Sequence, residues 1–110
     1  RLACGELGWE ATGSFCAAQR VEGRCSGHRT YANASAFCLA AGTRLCTAGE
    51  LEQRSLRNGG CGLNDEHVWT SSVCGTASRV APLGKGKGET LCVEEDGPLL
   101  HTGCCADASR

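Results

Sequence analysis

The chain has 110 residues, ten of them cysteine, and a formal net charge of −1. Leu, Val and Phe number 11, 5 and 2, with no Ile or Met. So weak an apolar content would mean disorder if the net charge were large. Near-neutrality argues against that, and a chain this poor in core-forming side chains needs covalent staples. The length suits one domain. No apolar run approaches the roughly 18 residues of a membrane span. No block of like charge points to nucleic acid or a membrane surface.

In chain order, Arg1–Arg29 shows little periodicity and reads as a loop-rich N-terminal extension (1–29) held by Cys4, Cys16 and Cys25. Arg1 is not followed by a charged-then-apolar leader, the pattern expected of a mature or excised chain. The core is expected over 30–110. Thr30 is a suitable N-cap, an Ala-rich stretch follows, and Gly42 is a suitable residue just past a helix C-terminus. At about 100° per residue, Tyr31, Ala34, Cys38 and Ala41 share one face with Phe37 on its shoulder. Asn33, Ala36 and Ala40 lie opposite. Thr43–Cys46 is a short extended piece with Leu45 pointing inward. Thr47-Ala48-Gly49-Glu50 matches a capping box, so a second helix is expected from about Ala48 to Leu56, stopping before Asn58-Gly59-Gly60.

Beyond Gly60 the pattern becomes that of strands. Leu63–Glu66 reads as a turn and His67–Ser72 as a β-branched and aromatic strand. Gly84-Lys85-Gly86-Lys87-Gly88 is expected to be an exposed loop. Thr90–Val93 is a further strand, Asp96-Gly97-Pro98 a turn, and Leu99–Cys105 the last strand.

The cysteines are Cys4, Cys16, Cys25, Cys38, Cys46, Cys61, Cys74, Cys92, Cys104 and Cys105. Every gap but the last is eight residues or more, so neither the close pairs of a zinc knuckle nor a Cys-x-x-Cys redox motif occurs. Five disulfides in an oxidising compartment are expected. Ten cysteines allow on the order of 945 pairings. The adjacent Cys104 and Cys105 either bond to each other or lie on a strand, where consecutive side chains reach partners on opposite faces.

The run Tyr31–Leu51 resembles the start of C-type lectin-like and Link modules. In those families a cysteine-bearing helix, a glycine, a short Arg-Leu strand and a second helix follow in this order. Cys61–Cys74, with a Trp-bearing segment between two cysteines, resembles their central part. The chain is also similar to Cys-rich modules of secreted or surface proteins of algae and other protists. With these it shares Cys25-Ser26-Gly27, Gly60-Cys61-Gly62 and the terminal Cys104-Cys105-Ala106-Asp107. The likeness covers about residues 9 to 107. It implies an α+β fold, a small disulfide-rich domain with two helices packed on a short, mostly antiparallel sheet. It also implies Cys38 paired with Cys104 or Cys105, and Cys61 with Cys74 beside Trp69. The remaining bridges stay unassigned among Cys4, Cys16, Cys25, Cys46, Cys92 and the other vicinal cysteine. A crosslink closing a loop of about 67 residues contributes about 4 kcal/mol on the loop-entropy model.

The motifs that would place a function are few. The Glu-Pro-Asn, Gln-Pro-Asp and Trp-Asn-Asp tripeptides of calcium-dependent sugar-binding lectins do not occur. Asn64-Asp65-Glu66 and Glu94-Glu95-Asp96 carry oxygens of the kind calcium takes, but they also read as solvated turns, and no metal or cofactor is expected. Hyaluronan binding by tyrosines is not expected, because Tyr31 is the one tyrosine and faces the core. His28, His67 and His101 lie far apart and no hydrolase or metalloprotease motif occurs, so no enzyme is expected. Trp9, in the looser extension, is the candidate exposed aromatic. Lys85 and Lys87 are candidates to dock an acidic partner. Asn33-Ala34-Ser35 is a glycosylation sequon on the outward helix face.

The expected function is therefore non-enzymatic: an extracellular or cell-surface recognition module for a glycan or protein. The alternative is a structural subunit of a larger assembly, such as a surface filament or the lumenal side of an algal photosystem, in the thylakoid lumen. In that case 1–29 would be its docking arm.

Overall fold

A computed structural model describes residues 1–54, 56 and 59–109. Among them the chain forms three helices and two antiparallel sheets, a small disulfide-rich α+β fold. Helix α1 is Cys4–Leu7, α2 is Tyr31–Ala40 and α3 is Ala48–Gln53. Strand β1 is Phe15–Ala18, β2 Val73–Gly75, β3 Ser78–Pro82, β4 Thr90–Glu94 and β5 Cys104–Asp107. No helix of the described residues is long and apolar enough to cross a membrane.

Local chemistry accounts for α2 and α3. Thr30 is extended and its Oγ1 accepts the Asn33 N–H at 3.2 Å, satisfying one of the orphan donors of the first turn. Ala34, Phe37 and Cys38 are buried and the opposite face is exposed. The helix gives way at Ala41 to Gly42, whose φ of +78° suits glycine. In α3 the Glu50 N–H donates to Thr47 Oγ1, and the Thr47 N–H donates to Glu50 Oε1, at 3.0 and 2.9 Å. This is the reciprocal capping box. The helix is shorter than expected, because Arg54 turns to extended backbone after Gln53. Asn58, at the expected stop signal, lies outside the described residues.

Strands β1 and β5 pair antiparallel with Phe15 opposite Asp107 and Ala18 opposite Cys104. Arg44 joins the far edge of β5, exchanging two backbone hydrogen bonds with Cys105. Strands β2, β3 and β4 form the second sheet in that order. The expected strand His67–Ser72 is instead extended backbone shared among several neighbours. Its Val68 N–H bonds Pro82 O, Trp69 N–H bonds His101 O and Ser71 N–H bonds Cys46 O. The expected last strand begins at Cys104 rather than Leu99, with Leu100 and His101 making isolated bridges to Arg29 and Val68.

Alternation along these extended pieces divides the core. Val68, Cys46 and Cys105 enter one apolar cluster with Phe15, Leu51, Leu56 and Leu63. Their chain neighbours Trp69, Leu45 and Cys104 enter another with Val21, Ala34, Phe37 and Cys38. A third cluster joins Cys4, Cys16 and Ala106. The wall between the two main clusters follows from the period of two in extended chain. The segment 1–29, expected to be loop-rich, supplies α1, β1 and side chains to all three clusters.

All ten cysteines are bonded: Cys4–Cys16, Cys25–Cys61, Cys38–Cys104, Cys46–Cys105 and Cys74–Cys92. Cys38 takes Cys104, one of the two partners the resemblance implied. The implied Cys61–Cys74 bridge is not made. Cys61 follows α3 into the region of Cys25, whereas β2 and β4, on either side of β3, bring Cys74 and Cys92 to a Cα separation of 5.9 Å. Trp69 accordingly packs in the cluster of the Cys38–Cys104 bridge.

Candidate functional site

The glycine-rich segment after α3 and the acidic turn enclose a cleft of about 500 Å³, lined by Gln19, Gly59, Gly60, Gly62, Asn64, Asp65 and Glu66. The Cys25–Cys61 bridge fixes the segment that carries Gly60 and Gly62. Gln19 Oε1 accepts the Cys61 N–H at 2.8 Å. Gln19 is only 2% exposed, and among the described residues its Nε2 has no hydrogen-bond partner. An amide donor buried without a partner costs roughly 1–3 kcal/mol, a cost that an acceptor reaching it would relieve.

The acidic side of the cleft is braced by the loop 83–88. The Gly84 N–H bonds Glu66 O, the Lys85 N–H bonds Asn64 O, and Lys85 Nζ lies 2.8 Å from Asp65 Oδ1. A Cβ at Gly84 would lie 2.2 Å from Leu63 O, so this close approach of two backbones requires glycine. Asp65 and Glu66 are exposed acceptors at the rim. The cleft is thus lined both by the buried Gln19 and by the exposed Asp65 and Glu66.

A second cleft, of about 420 Å³, contains Tyr31, Ser35, Leu39, Arg44, Glu50 and Asp107. Its charged side chains Arg44, Glu50 and Asp107 are paired with one another. Arg44 Nη1 and Nη2 grip both Glu50 oxygens at 2.8 and 2.7 Å, and Nη2 also bonds Asp107 Oδ1 at 2.8 Å. The Glu50 hydrogen bonds hold the Arg44 guanidinium protonated against the opposing effect of burial, with Asp107 adding to them. Burial alone would push the Glu50 carboxyl up, but Arg44 and the Thr47 N–H together hold it below the usual range. This is a structural junction of α3, β5 and the Arg44 segment.

The rings of His28 and His101 lie 4.0 Å apart. Burial first, and then the neighbouring His28, lower the His101 pKa, while Glu66 opposes them. Among the described residues, no three His, Cys, Asp or Glu side chains are grouped to hold a metal ion.

Of the residues singled out in the sequence, Asn64, Asp65 and Glu66 come together in the first cleft. Lys85 is tied to Asp65, while Lys87 is exposed and does not line the cleft. Trp9, expected in an exposed contact, is half-buried and packs against two of the core clusters. In the other acidic turn, Glu95 pairs with Arg79 at 2.8 Å. Asn33 is exposed on α2. Sequence reasoning missed Gln19, because a single glutamine in an aperiodic segment carries no sign of its burial.

Compared with known proteins, the chain matches no protein-family model, no curated protein and no solved structure.

Proposed function

We propose that the chain is a non-enzymatic, disulfide-braced recognition module of an extracellular or other oxidising compartment, and that its ligand is a saccharide held in the Gln19–Glu66 cleft. The observation that carries this reading is the Gln19 Nε2, buried and without a partner among the described residues, in a residue that lines the same cleft as Asp65 and Glu66. A sugar hydroxyl both donates and accepts, so it can take the Gln19 N–H and give its own proton to Asp65 or Glu66. A cation suits the site less well: the free Gln19 group is a donor, and a dication at Asp65 would have to displace the Lys85 ammonium. Five bridges in 110 residues support both the compartment and a site formed before the ligand arrives.

A C-type lectin-like core belongs to this proposal. It is supported by the succession of α2, the Arg44–Leu45 segment and α3, and by the bridge from α2 to the last strand. The test is a saccharide-array screen of the oxidised chain beside the variants Asp65→Asn and Glu66→Gln. Both side chains are exposed, and each change should weaken binding about tenfold, the loss of one hydrogen bond to a charged group, with Asp65→Asn also removing the Lys85 ion pair. Binding of no saccharide, with the chain recovered from its source in a large particle, would favour the structural-subunit reading instead.

A further inference from the structure

Helix α2 carries no charged residue. Its exposed positions are Ala32, Asn33, Ala36, Leu39 and Ala40, with Leu39 55% exposed. The outer face of a surface helix is ordinarily charged or polar. Here Asn33 is the one polar side chain among those exposed positions, and it is the acceptor of the sequon Asn33-Ala34-Ser35. Its backbone N–H is spent on Thr30 Oγ1, while the residue stays open to solvent. The five disulfides independently require an oxidising route, the kind of compartment in which such sequons are modified.

We infer that Asn33 carries an N-linked glycan that covers the uncharged outer face of α2. The donor is a lipid-pyrophosphate-linked oligosaccharide. The Asn33 amide nitrogen bonds to its anomeric carbon, the carbon–oxygen bond to pyrophosphate breaks, the lipid pyrophosphate leaves with the electron pair, and the amide proton passes to a base. One and two turns on from Asn33, Ala36 and Ala40 share its face, so the first sugar rings lie with their C–H faces toward the methyl groups. Ser35, two residues on, lines the second cleft, so the glycan stands beside that cleft. None of its neighbours on α2 lines the Gln19–Glu66 cleft, which stays open. This inference does not depend on what the cleft binds.

The test is the intact mass of the chain purified from its own source, before and after treatment with a peptide N-glycosidase. A mass excess built of sugar units, lost on treatment with conversion of Asn33 to aspartate, is the expected result. In parallel, the full chain secreted by a eukaryotic host should carry the glycan as wild type and as Ser35→Thr, and lose it as Asn33→Gln or Ser35→Ala. Source protein with the mass of the unmodified oxidised chain and an unaltered Asn33 peptide would overturn the inference. The α2 face would then fall to a protein partner.

Discussion

Cys104 and Cys105 are neighbours on β5 and bond to opposite sides of the molecule. Cys104 crosses to Cys38 in α2, and Cys105 to Cys46 at the entrance to α3. The pleat of one strand therefore staples the two longer helices to a common wall, one in each main core cluster. With so few large apolar residues, these two bridges carry much of what a larger core would supply.

Removing the Cys38–Cys104 bridge as the double variant Cys38→Ala/Cys104→Ala should cost about 4 kcal/mol on the loop-entropy model. Denaturant unfolding of oxidised protein measures it. The bridges should also differ in access. Cys74 and Cys92 are exposed, whereas Cys4, Cys16, Cys38, Cys46, Cys104 and Cys105 are buried. Limited reduction followed by alkylation and peptide mapping should label Cys74 and Cys92 first.

Arg44 binds Glu50 and Asp107 with its own side chain largely covered, so Arg44→Ala leaves the Glu50 carboxylate with the Thr47 N–H but without its cationic partner. A loss of about 2 kcal/mol is expected in thermal or denaturant unfolding. Because the folded pKa of Glu50 is depressed, its contribution is complete above the unfolded carboxylate value and is lost as pH falls through the folded one. Glu50→Gln should therefore lower stability at neutral pH and flatten its fall in acid.

His101 acts at higher pH. Its folded pKa is lowered, so below the ordinary imidazole value of about 6.5 the unfolded chain takes up the proton more readily and stability falls. Above that value His101 contributes no pH dependence. Stability measured at mildly acid and neutral pH should show this slope in wild type and lose it in His101→Gln.

At Gly84 the added methyl group of alanine would meet the Leu63 carbonyl. Gly84→Ala should cost about 1–3 kcal/mol, as overpacking does. It should also disturb the acidic rim, since the Gly84 N–H holds Glu66 O. Reduced ligand affinity together with a lowered melting temperature is the expected pair of readouts.

Helices α2 and α3 were legible because their signals are local: Thr30, the alanines and Gly42 for one, Thr47 and Glu50 for the other. The short extended piece with Leu45 inward was legible for the same reason, and Leu45 is buried. Strand β1 was not, because Phe15–Ala18 is a strand only through pairing with residues about 90 positions away. The Val73–Pro82 hairpin was equally hidden: it turns at Thr76-Ala77, where Ala77 takes a φ of +51° that sequence rules give to glycine or asparagine. Of the candidate site, the acidic side could be read from Asn64-Asp65-Glu66. The buried Gln19 could not, since its place is set by the Cys61 backbone 42 residues on.

The central claim is that the Gln19 amide is the buried donor of a saccharide site. The most direct measurement is a ¹⁵N-resolved NMR titration of the oxidised chain with saccharides selected by the array, following the Gln19 side-chain NH₂ signals. The account predicts that these signals and the backbone amides of Gly62, Asp65 and Glu66 shift together and saturate, while signals around Arg44 do not. Saturable shifts elsewhere with the Gln19 NH₂ unmoved, or no saturable shift with any saccharide, would contradict it.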